Sequence, residues 1–154
     1  MNNGFEQFYE RHYLMVYRLC YTYMKNRYDA EDCTEDVFVK VLSGGFSFND
    51  ETHEQKWLAV TAINLCKDRL RHWFRRIVAP IDEAETLAGA PVPEPDETLD
   101  AVLKLPAKYK DAIYLHYYLG YETDTIAEML GKPPSTVRNH LSEARALLKK
   151  KLGG

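Results

Sequence analysis

The chain of 154 residues has no long apolar run and no export signal. Its longest apolar stretch, at about residues 57–63, is much shorter than the roughly 20 residues that cross a bilayer. The first residues supply neither the basic nor the apolar segment of a secretory signal. We therefore expect no membrane insertion, and a cytoplasmic location is the default expectation.

Cysteine and histidine are scarce and scattered. The three cysteines, Cys20, Cys33 and Cys66, are odd in number and widely spaced, which fits neither a disulfide framework nor a CxxC metal site. We expect them to be core thiols. None of the common nucleophile, metalloprotease, phosphate-loop or dinucleotide motifs occurs. The sequence thus predicts no catalytic residue, no metal, no cofactor and no enzymatic activity.

What the chain does have is an ordinary globular composition, with 45% apolar, 28% charged and 12% aromatic residues. Apolar residues recur at spacings of three and four, and the strict alternation typical of strands is nearly absent. This pattern predicts an all-α fold.

The net charge of −3 is unevenly distributed. Residues 1–76 carry eleven basic and eleven acidic side chains, residues 77–98 carry six acids and no base, and residues 99–154 carry nine bases and six acids. The middle segment also contains four prolines, and charge repulsion and proline together favour an extended chain. We therefore predict two small helical domains, 1–76 and 99–154, joined by an acidic, proline-containing flexible linker at 77–98.

In the first domain, periodicity predicts helices over about residues 5–25, 29–42 and 52–76. The core stripe of the second helix is expected to be Ala30, Cys33, Val37 and Val41, flanked by Phe38 and Leu42. The third helix is unusual because one of its faces changes from apolar to polar to charged, through Trp57, Thr61, Asn64, Asp68 and Arg71. An ordinary ion pair of Asp68 with Arg71 or His72 would also account for the charged end of this face.

The second domain has the spacing of a helix-turn-helix. Helices are predicted over about residues 97–103, 106–119, 123–130 and 134–152, with the break before the last one at Gly131, Lys132 and Pro133. Packing of Ile126, Ala127 and Leu130 against Val137 and Leu141 would leave small polar and basic side chains outward for a major groove. An ordinary helical hairpin with a solvated polar face is the alternative. The outward candidates are Ser135, Thr136, Arg138, Asn139 and Ser142.

Each domain also contains a basic cluster. Such clusters are typical of nucleic-acid binding, although basic residues near a helix C-terminus also complement the helix dipole without any partner. The clusters are Lys67, Arg69, Arg71, Arg75 and Arg76 in the first domain, and Arg138, Arg145, Lys149, Lys150 and Lys151 in the second.

An ordered set of motifs resembles bacterial RNA polymerase sigma factors. The run DAEDCTEDVFVK at residues 29–40, the Trp57-Leu58 pair, and Asn64, Asp68 and Arg71 in N-x3-D-x2-R spacing resemble their first domain. Leu-Pro at 105–106, IAEMLG at 126–131, TVR at 136–138 and Ala-Arg at 144–145 resemble their promoter-binding C-terminal domain. The small two-domain size points to the extracytoplasmic-function (ECF) group.

The resemblance implies a dissociable subunit that binds core RNA polymerase, recognises promoter DNA, melts it and so directs transcription initiation. Helix 29–42 would dock on the clamp coiled coil of the largest polymerase subunit. Members of the group are commonly sequestered by an anti-sigma factor, so a partner of this kind is also expected. The core-binding candidates are Asp32, Glu35, Asp36, Phe38 and Lys40.

The resemblance further implies that the third helix and the loop before it read the −10 element, with Asn64 near a base flipped out of the non-template strand. A pocket offering stacking partners offsets about 1–3 kcal/mol per extruded base. Phe46 and Phe48 are candidate pocket walls, and the basic residues would hold phosphates. The −10 candidates are Phe46, Phe48, Asn64, Lys67, Arg71, Arg75 and Arg76, with Arg69 as a further phosphate contact.

The C-terminal domain would bind the −35 element. Thr136, Arg138 and Asn139 would lie nearest base edges, whereas Arg145 and Lys149 would lie nearest phosphates. The full −35 set is Ser135, Thr136, Arg138, Asn139, Ser142, Arg145 and Lys149.

Three positions depart from the family pattern. Glu35 replaces a more usual glutamine, and His140 and Glu143 stand where arginine is frequent. Two other functions therefore stay open: a stand-alone helix-turn-helix regulator, and a sigma-like decoy that does not initiate transcription.

Overall fold

The computed structural model describes residues 3–44, 47–76 and 101–153, and the side chains of 4–44, 47–72 and 101–153. Every regular element in these ranges is helical, which confirms the all-α fold. The chain divides into two compact units, Met1–Pro93 and Glu94–Gly154. The predicted linker at 77–98, Phe46, and the side chains of Arg75 and Arg76 lie outside the described residues.

The first unit contains α1 (Asn3–Met24), α2 (Arg27–Gly44) and α3 (Glu51–Arg76). Short polar side chains set where two of these helices begin. Asn26 Oδ1 accepts the backbone N–H of Asp29 at 2.8 Å, and Asp50 Oδ1 accepts that of His53 at 2.8 Å. Each satisfies an N–H that the first turn of a helix leaves without a partner. α2 therefore begins two residues before the predicted start.

Apolar side chains from all three helices form the core of this unit. It includes Leu19 of α1, Val37 of α2 and Leu58 of α3, all fully buried. The three cysteines are buried and free, as expected for core thiols. Burying a large aliphatic side chain contributes about 1.5–3 kcal/mol, so this shared core accounts for the association of the helices.

One part of the predicted core stripe is wrong. Leu42 is 55% exposed rather than core-flanking, and Val41 is only half-buried. Phe38 makes ring contacts with Phe5 and Tyr9 near the start of α1. Because α1 and α2 run antiparallel, α1 offers little surface one turn further along α2.

The second unit contains a helical turn at 101–103, α4 (Ala107–Ile113), a π-helical turn (Tyr114–Tyr118), α5 (Thr123–Leu130) and α6 (Pro134–Lys151). The bounds of α5 are those predicted. Gly131 adopts a left-handed conformation with φ 65° at the end of α5, and Pro133 and Pro134 open α6. The single helix predicted over 106–119 instead passes into the π-helical turn, where the Leu119 N–H bonds to the Tyr114 carbonyl at 3.1 Å.

The helix-turn-helix packing follows the expected pattern. Ile126 and Ala127 of α5 and Val137 and Leu141 of α6 are buried, although Leu130 is half-buried. Across the ranges that the structure describes, no helix has the length and apolar character needed to cross a membrane.

Candidate nucleic-acid interface and acidic docking face

Three of the predicted polymerase contacts lie together on the outer surface of α2. Asp32, Glu35 and Asp36 are spaced at i, i+3 and i+4, so they share one side of the helix. The side chains of Asp32 and Asp36 are 66% and 43% exposed. We call these three carboxylates the acidic face.

Both neighbouring helices hold the acidic face in place. From α1, the Tyr9 hydroxyl donates to Glu35 Oε1 at 3.0 Å. From α3, Arg69 pairs with both Asp32 and Asp36. Burial and the Glu35 carboxylate raise the pKa of Tyr9 to about 12, so Tyr9 stays protonated and can donate at neutral pH. The carboxylates are therefore oriented before any partner arrives.

The other two predicted core contacts differ from each other. Lys40 is exposed on α2. Phe38 is only 2% exposed and packs edge-on against Phe8 with ring centroids 6.1 Å apart. Its side chain belongs to the core, so it is not exposed for direct contact with a partner.

Two apolar residues extend the outer side of α2 beyond the acidic face. Val39 and Leu42 are each 55% exposed, and they follow Glu35 at i+4 and i+7. Sequence periodicity missed Leu42 because it placed this residue beside the core. The combined surface offers carboxylates at one end and aliphatic side chains at the other.

Arg69 is not placed as a phosphate contact. Besides its two carboxylate partners, its Nη1 lies 3.5 Å from Cys33 Sγ. Its positive charge is thus directed into the α2–α3 junction. Arg71, by contrast, pairs with Asp68 within α3, and both side chains are more than 60% exposed. The ion pair expected as an alternative for Asp68 is present, and Arg71 lies on the surface.

The remaining described −10 candidates surround the start and middle of α3. Phe48 is half-buried and stacks on Phe8 with ring centroids 5.7 Å apart. Its ring also lies edge-on to that of Trp57, with centroids 5.8 Å apart. Asn64 is exposed, whereas Lys67 is half-buried and interacts with other groups. Phe48 therefore anchors the loop to the first unit, and Asn64 presents its amide two turns beyond Trp57.

A polar contact that the sequence did not reveal ties the start of α3 to α1. His12 Nε2 lies 2.8 Å from Glu54 Oε1, and Arg11 Nη2 pairs with the same oxygen at 2.9 Å. Burial raises the pKa of Glu54, but the bonds from His12 and Arg11 outweigh it and hold that pKa below its ordinary value. The residue His12 is only 4% exposed, so this polar contact lies at the edge of the core.

In the second unit, the predicted outward residues of α6 do face solvent. Ser135, Arg138, Asn139 and Ser142 are exposed, and Thr136 is half-buried. Lys149 is exposed in the last turns of α6.

Two α6 residues interact with neighbouring elements. Arg145 contacts Tyr117, with its guanidinium carbon 5.6 Å from the ring centroid. His140 packs edge-on against Tyr109 at 5.7 Å. Burial first, and then the charges of Lys132 and Lys108, lower the pKa of His140. His140 stands where the family that this chain resembles often has arginine. It is therefore a neutral, half-buried ring at neutral pH, not a positive charge.

Among the described residues, no group of three or more His, Cys, Asp or Glu side chains is arranged to hold a metal ion. The surfaces above offer hydrogen bonding, charge and stacking, which are the means of binding a protein or a nucleic acid.

Comparison with known proteins gives matches to both units. Residues 8–75 match the family described as Sigma-70 region 2, and residues 96–148 match Sigma-70, region 4. The chain is 29% identical to the ECF RNA polymerase sigma factor SigM of Mycobacterium tuberculosis, over 97% of this chain and 78% of SigM. It is 28% identical to the ECF RNA polymerase sigma factor SigW of Bacillus subtilis, over 89% of this chain and 82% of SigW.

A solved structure has the same fold. It is the sigma factor RpoE in complex with the anti-sigma factor NepR from Bartonella quintana, with a TM-score of 0.75, 18% identity and 97% of both chains covered.

Proposed function

Since the chain belongs to the ECF group of RNA polymerase sigma factors, we propose how its surfaces divide the work of transcription initiation. The protein is a sigma factor that binds core RNA polymerase and promoter DNA. Our proposal assigns polymerase docking and the −10 element to residues 1–76, the −35 element to residues 99–154, and the connection between them to residues 77–98.

The acidic face of α2, continued by Val39 and Leu42, is the proposed polymerase-docking surface. The observation that carries this proposal is that Tyr9 and Arg69 hold all three carboxylates from neighbouring helices. Preorganised charges reduce the ordering cost of binding. The exposed aliphatic side chains supply apolar area beside the charges, a combination that suits a basic, partly apolar partner surface.

DNA contacts are proposed on α3 and α6. Asn64 would contact an extruded −10 base, with Arg71 and Lys67 at the backbone, and Phe48 would hold the adjacent loop. On α6, Thr136, Arg138 and Asn139 would face base edges of the −35 element, with Arg145 and Lys149 at phosphates. The exposure of all of these side chains except the half-buried Thr136 supports this assignment. Ser135 and Ser142 would contribute at the margins of the same surface.

The −10 assignment is tested with Asn64→Ala in reconstituted polymerase. We expect slower open-complex formation, measured by permanganate reactivity of the melted region, with unchanged affinity for core polymerase. Asn139→Ala is the matched control because it removes an exposed amide from α6 instead. It should weaken binding to DNA that carries the −35 element and leave melting of the bound promoter unaffected. Equal losses of core binding and melting in Asn64→Ala would refute the assigned role.

The docking assignment is tested with Leu42→Ala and Val39→Ala. Both side chains are exposed, so folding should be nearly unaffected, while the affinity for core polymerase should fall severalfold. Leu14→Ala is the matched control, because Leu14 is an exposed leucine on α1 outside this surface. An equal effect of all three variants would argue against α2 as the docking surface.

The two other functions predict different results. A stand-alone regulator would bind a dyad-symmetric operator without polymerase, and a decoy would bind polymerase yet start transcription at no promoter. A randomised promoter library transcribed by the reconstituted holoenzyme separates the proposal from both, because only the proposal requires initiation at a two-part consensus.

We further propose regulation by an anti-sigma factor, as in the Bartonella complex of similar fold. Such an inhibitor would compete with core polymerase for the acidic face, so excess polymerase should displace it. The protein would act in the cytoplasm with its polymerase, as a binding subunit without catalytic chemistry of its own.

A further inference from the structure

The three cysteines of the chain converge at one point in the first unit, although they come from three different helices. Cys20 belongs to α1, Cys33 to α2 and Cys66 to α3. All three are fully buried, and the Cys66 thiol lies within hydrogen-bonding reach of both Cys20 and Cys33. We call this group the thiol cluster.

The cluster is chemically asymmetric. Arg69 Nη1 lies 3.5 Å from Cys33 Sγ, and Cys66 can donate its S–H to the same sulfur. The bond from Cys66 and the charge of Arg69 hold the pKa of Cys33 below its ordinary value, despite the opposing effect of burial. Hydrogen bonding among the thiols, followed by burial, raises the pKa of Cys66. Cys33 is therefore the thiol of the cluster that loses its proton more readily, and Cys66 is its proton-donating neighbour.

Arg69 connects the buried Cys33 sulfur to the protein surface, and we infer that its movement gives a small molecule access to that sulfur. Its side chain touches the sulfur and is itself 32% exposed. Rotation of this surface side chain would open the sulfur to a molecule not much larger than water.

We propose that Cys33 and Cys66 form a dithiol that small hydroperoxides oxidise to a reversible disulfide between α2 and α3. The Cys33 thiolate attacks one oxygen of hydrogen peroxide, so that the O–O bond breaks, Cys33 becomes a sulfenic acid and hydroxide leaves. Cys66 sulfur then attacks the Cys33 sulfur, its proton is taken up, and water leaves as the disulfide forms. Two thiols are oxidised and one peroxide is reduced to two waters.

The disulfide would affect the acidic face directly. Cys33 lies next to Asp32 in the chain, and both groups contact Arg69. Oxidation alters the Cys33 sulfur that Arg69 contacts and covalently links the helix that holds Arg69 to the helix that holds its carboxylate partners. We expect the oxidised protein to bind core polymerase more weakly. This consequence rests on the proposed docking function, whereas the oxidation chemistry does not.

The oxidation is tested on the full chain, reduced, desalted and exposed to hydrogen peroxide under native conditions. Free thiols are then alkylated in denaturant, and the products are mapped by peptide mass spectrometry. We expect one disulfide, Cys33 to Cys66, which dithiothreitol reverses. In Cys66→Ala, dimedone should trap the sulfenic acid on Cys33, and Cys20→Ala should still form the disulfide. Circular dichroism checks that each variant is folded.

The rate of the reaction tests the role of Arg69. Arg69→Gln should slow the oxidation of Cys33 by about threefold for each unit by which its pKa rises, because the tenfold smaller thiolate fraction is partly offset by a more nucleophilic thiolate. Arg71→Gln is the matched control and should not change the rate, because Arg71 pairs with Asp68 on the α3 surface.

Several results would overturn the proposal. The native protein could resist peroxide while the unfolded chain reacts, as buried structural thiols do. The three cysteines could oxidise at equal rates, or the disulfide could join Cys20 instead. If the expected disulfide forms and polymerase affinity is unchanged, the chemistry stands and the proposed coupling to docking fails.

Discussion

Arg69 and Arg71 stand two residues apart on α3, and sequence alone assigned both to phosphate binding. The structure separates them, because Arg69 pairs with Asp32 and Asp36 of α2, whereas Arg71 pairs with Asp68 of its own helix. Substituting each by glutamine therefore predicts opposite results in two measurements.

The stability change follows from the partners of each side chain. Arg69→Gln breaks two partly exposed ion pairs, worth about 0.2–1 kcal/mol each. It also leaves Asp32 and Asp36 one turn apart without a cation between them, which costs about 0.2–0.5 kcal/mol more. We expect a total loss of about 1–2 kcal/mol. Arg71→Gln breaks one exposed pair within a helix and should cost at most about 0.5 kcal/mol.

Urea unfolding followed by circular dichroism measures this difference. With an m-value of about 2 kcal/mol/M, in the middle of the range for small proteins, the midpoint for Arg69→Gln should fall by roughly 0.5–1 M. Restoring the charge as Arg69→Lys should recover part of the loss.

The second measurement is the salt dependence of promoter binding by the reconstituted holoenzyme. A lost phosphate contact lowers the slope of log K against log salt by about 0.7–0.9. This decrease should occur in Arg71→Gln and not in Arg69→Gln. A lower salt slope in Arg69→Gln without any loss of stability would refute the reasoning, since it would mean that Arg69 binds DNA and not the acidic face.

Three further changes test other contacts. Gly131→Ala places a side chain at φ 65°, where no neighbouring atom would contact the new Cβ. Backbone strain alone should therefore cost about 1–2 kcal/mol. Calorimetry should show a lower melting temperature for the second unit, and an unchanged melting temperature would contradict this reasoning. The pKa of Glu54 is held below its ordinary value by His12 and Arg11 against the opposing effect of burial, so its stabilisation is present above the unfolded pKa and is lost as the pH falls through the lower folded pKa. Glu54→Gln should therefore be less stable at neutral pH and lose its difference from the native protein in acid, measured by urea unfolding; a constant difference would exclude the linkage. Tyr9→Phe removes only the hydroxyl that donates to the acidic face. It should weaken the affinity for core polymerase severalfold in a binding titration and leave the melting temperature nearly unchanged. A clearly lower melting temperature together with the weaker binding would indicate a purely structural role.

In the candidate site, local sequence patterns predicted some features correctly and others wrongly. The outward side of α6 was predictable because residues three and four apart share one side of a helix. The buried residues Val137 and Leu141 mark the inner side, so the polar residues between them face outward. Phe38 was misjudged as a contact because its place on α2 does not reveal that four aromatic rings of α1 surround it.

The sequence by itself determined the helices and the family of this protein. Helix period, the Gly131 turn and the prolines that open α6 are local signals, since each acts within a few residues of the chain. Only the tertiary structure decided which charges meet. Arg69 and Asp32 are 37 residues apart, Tyr9 and Glu35 are 26 apart, and the cysteines lie on three helices. Such contacts depend on how antiparallel helices are rotated and aligned in a shared core, and no local pattern in the sequence encodes that arrangement.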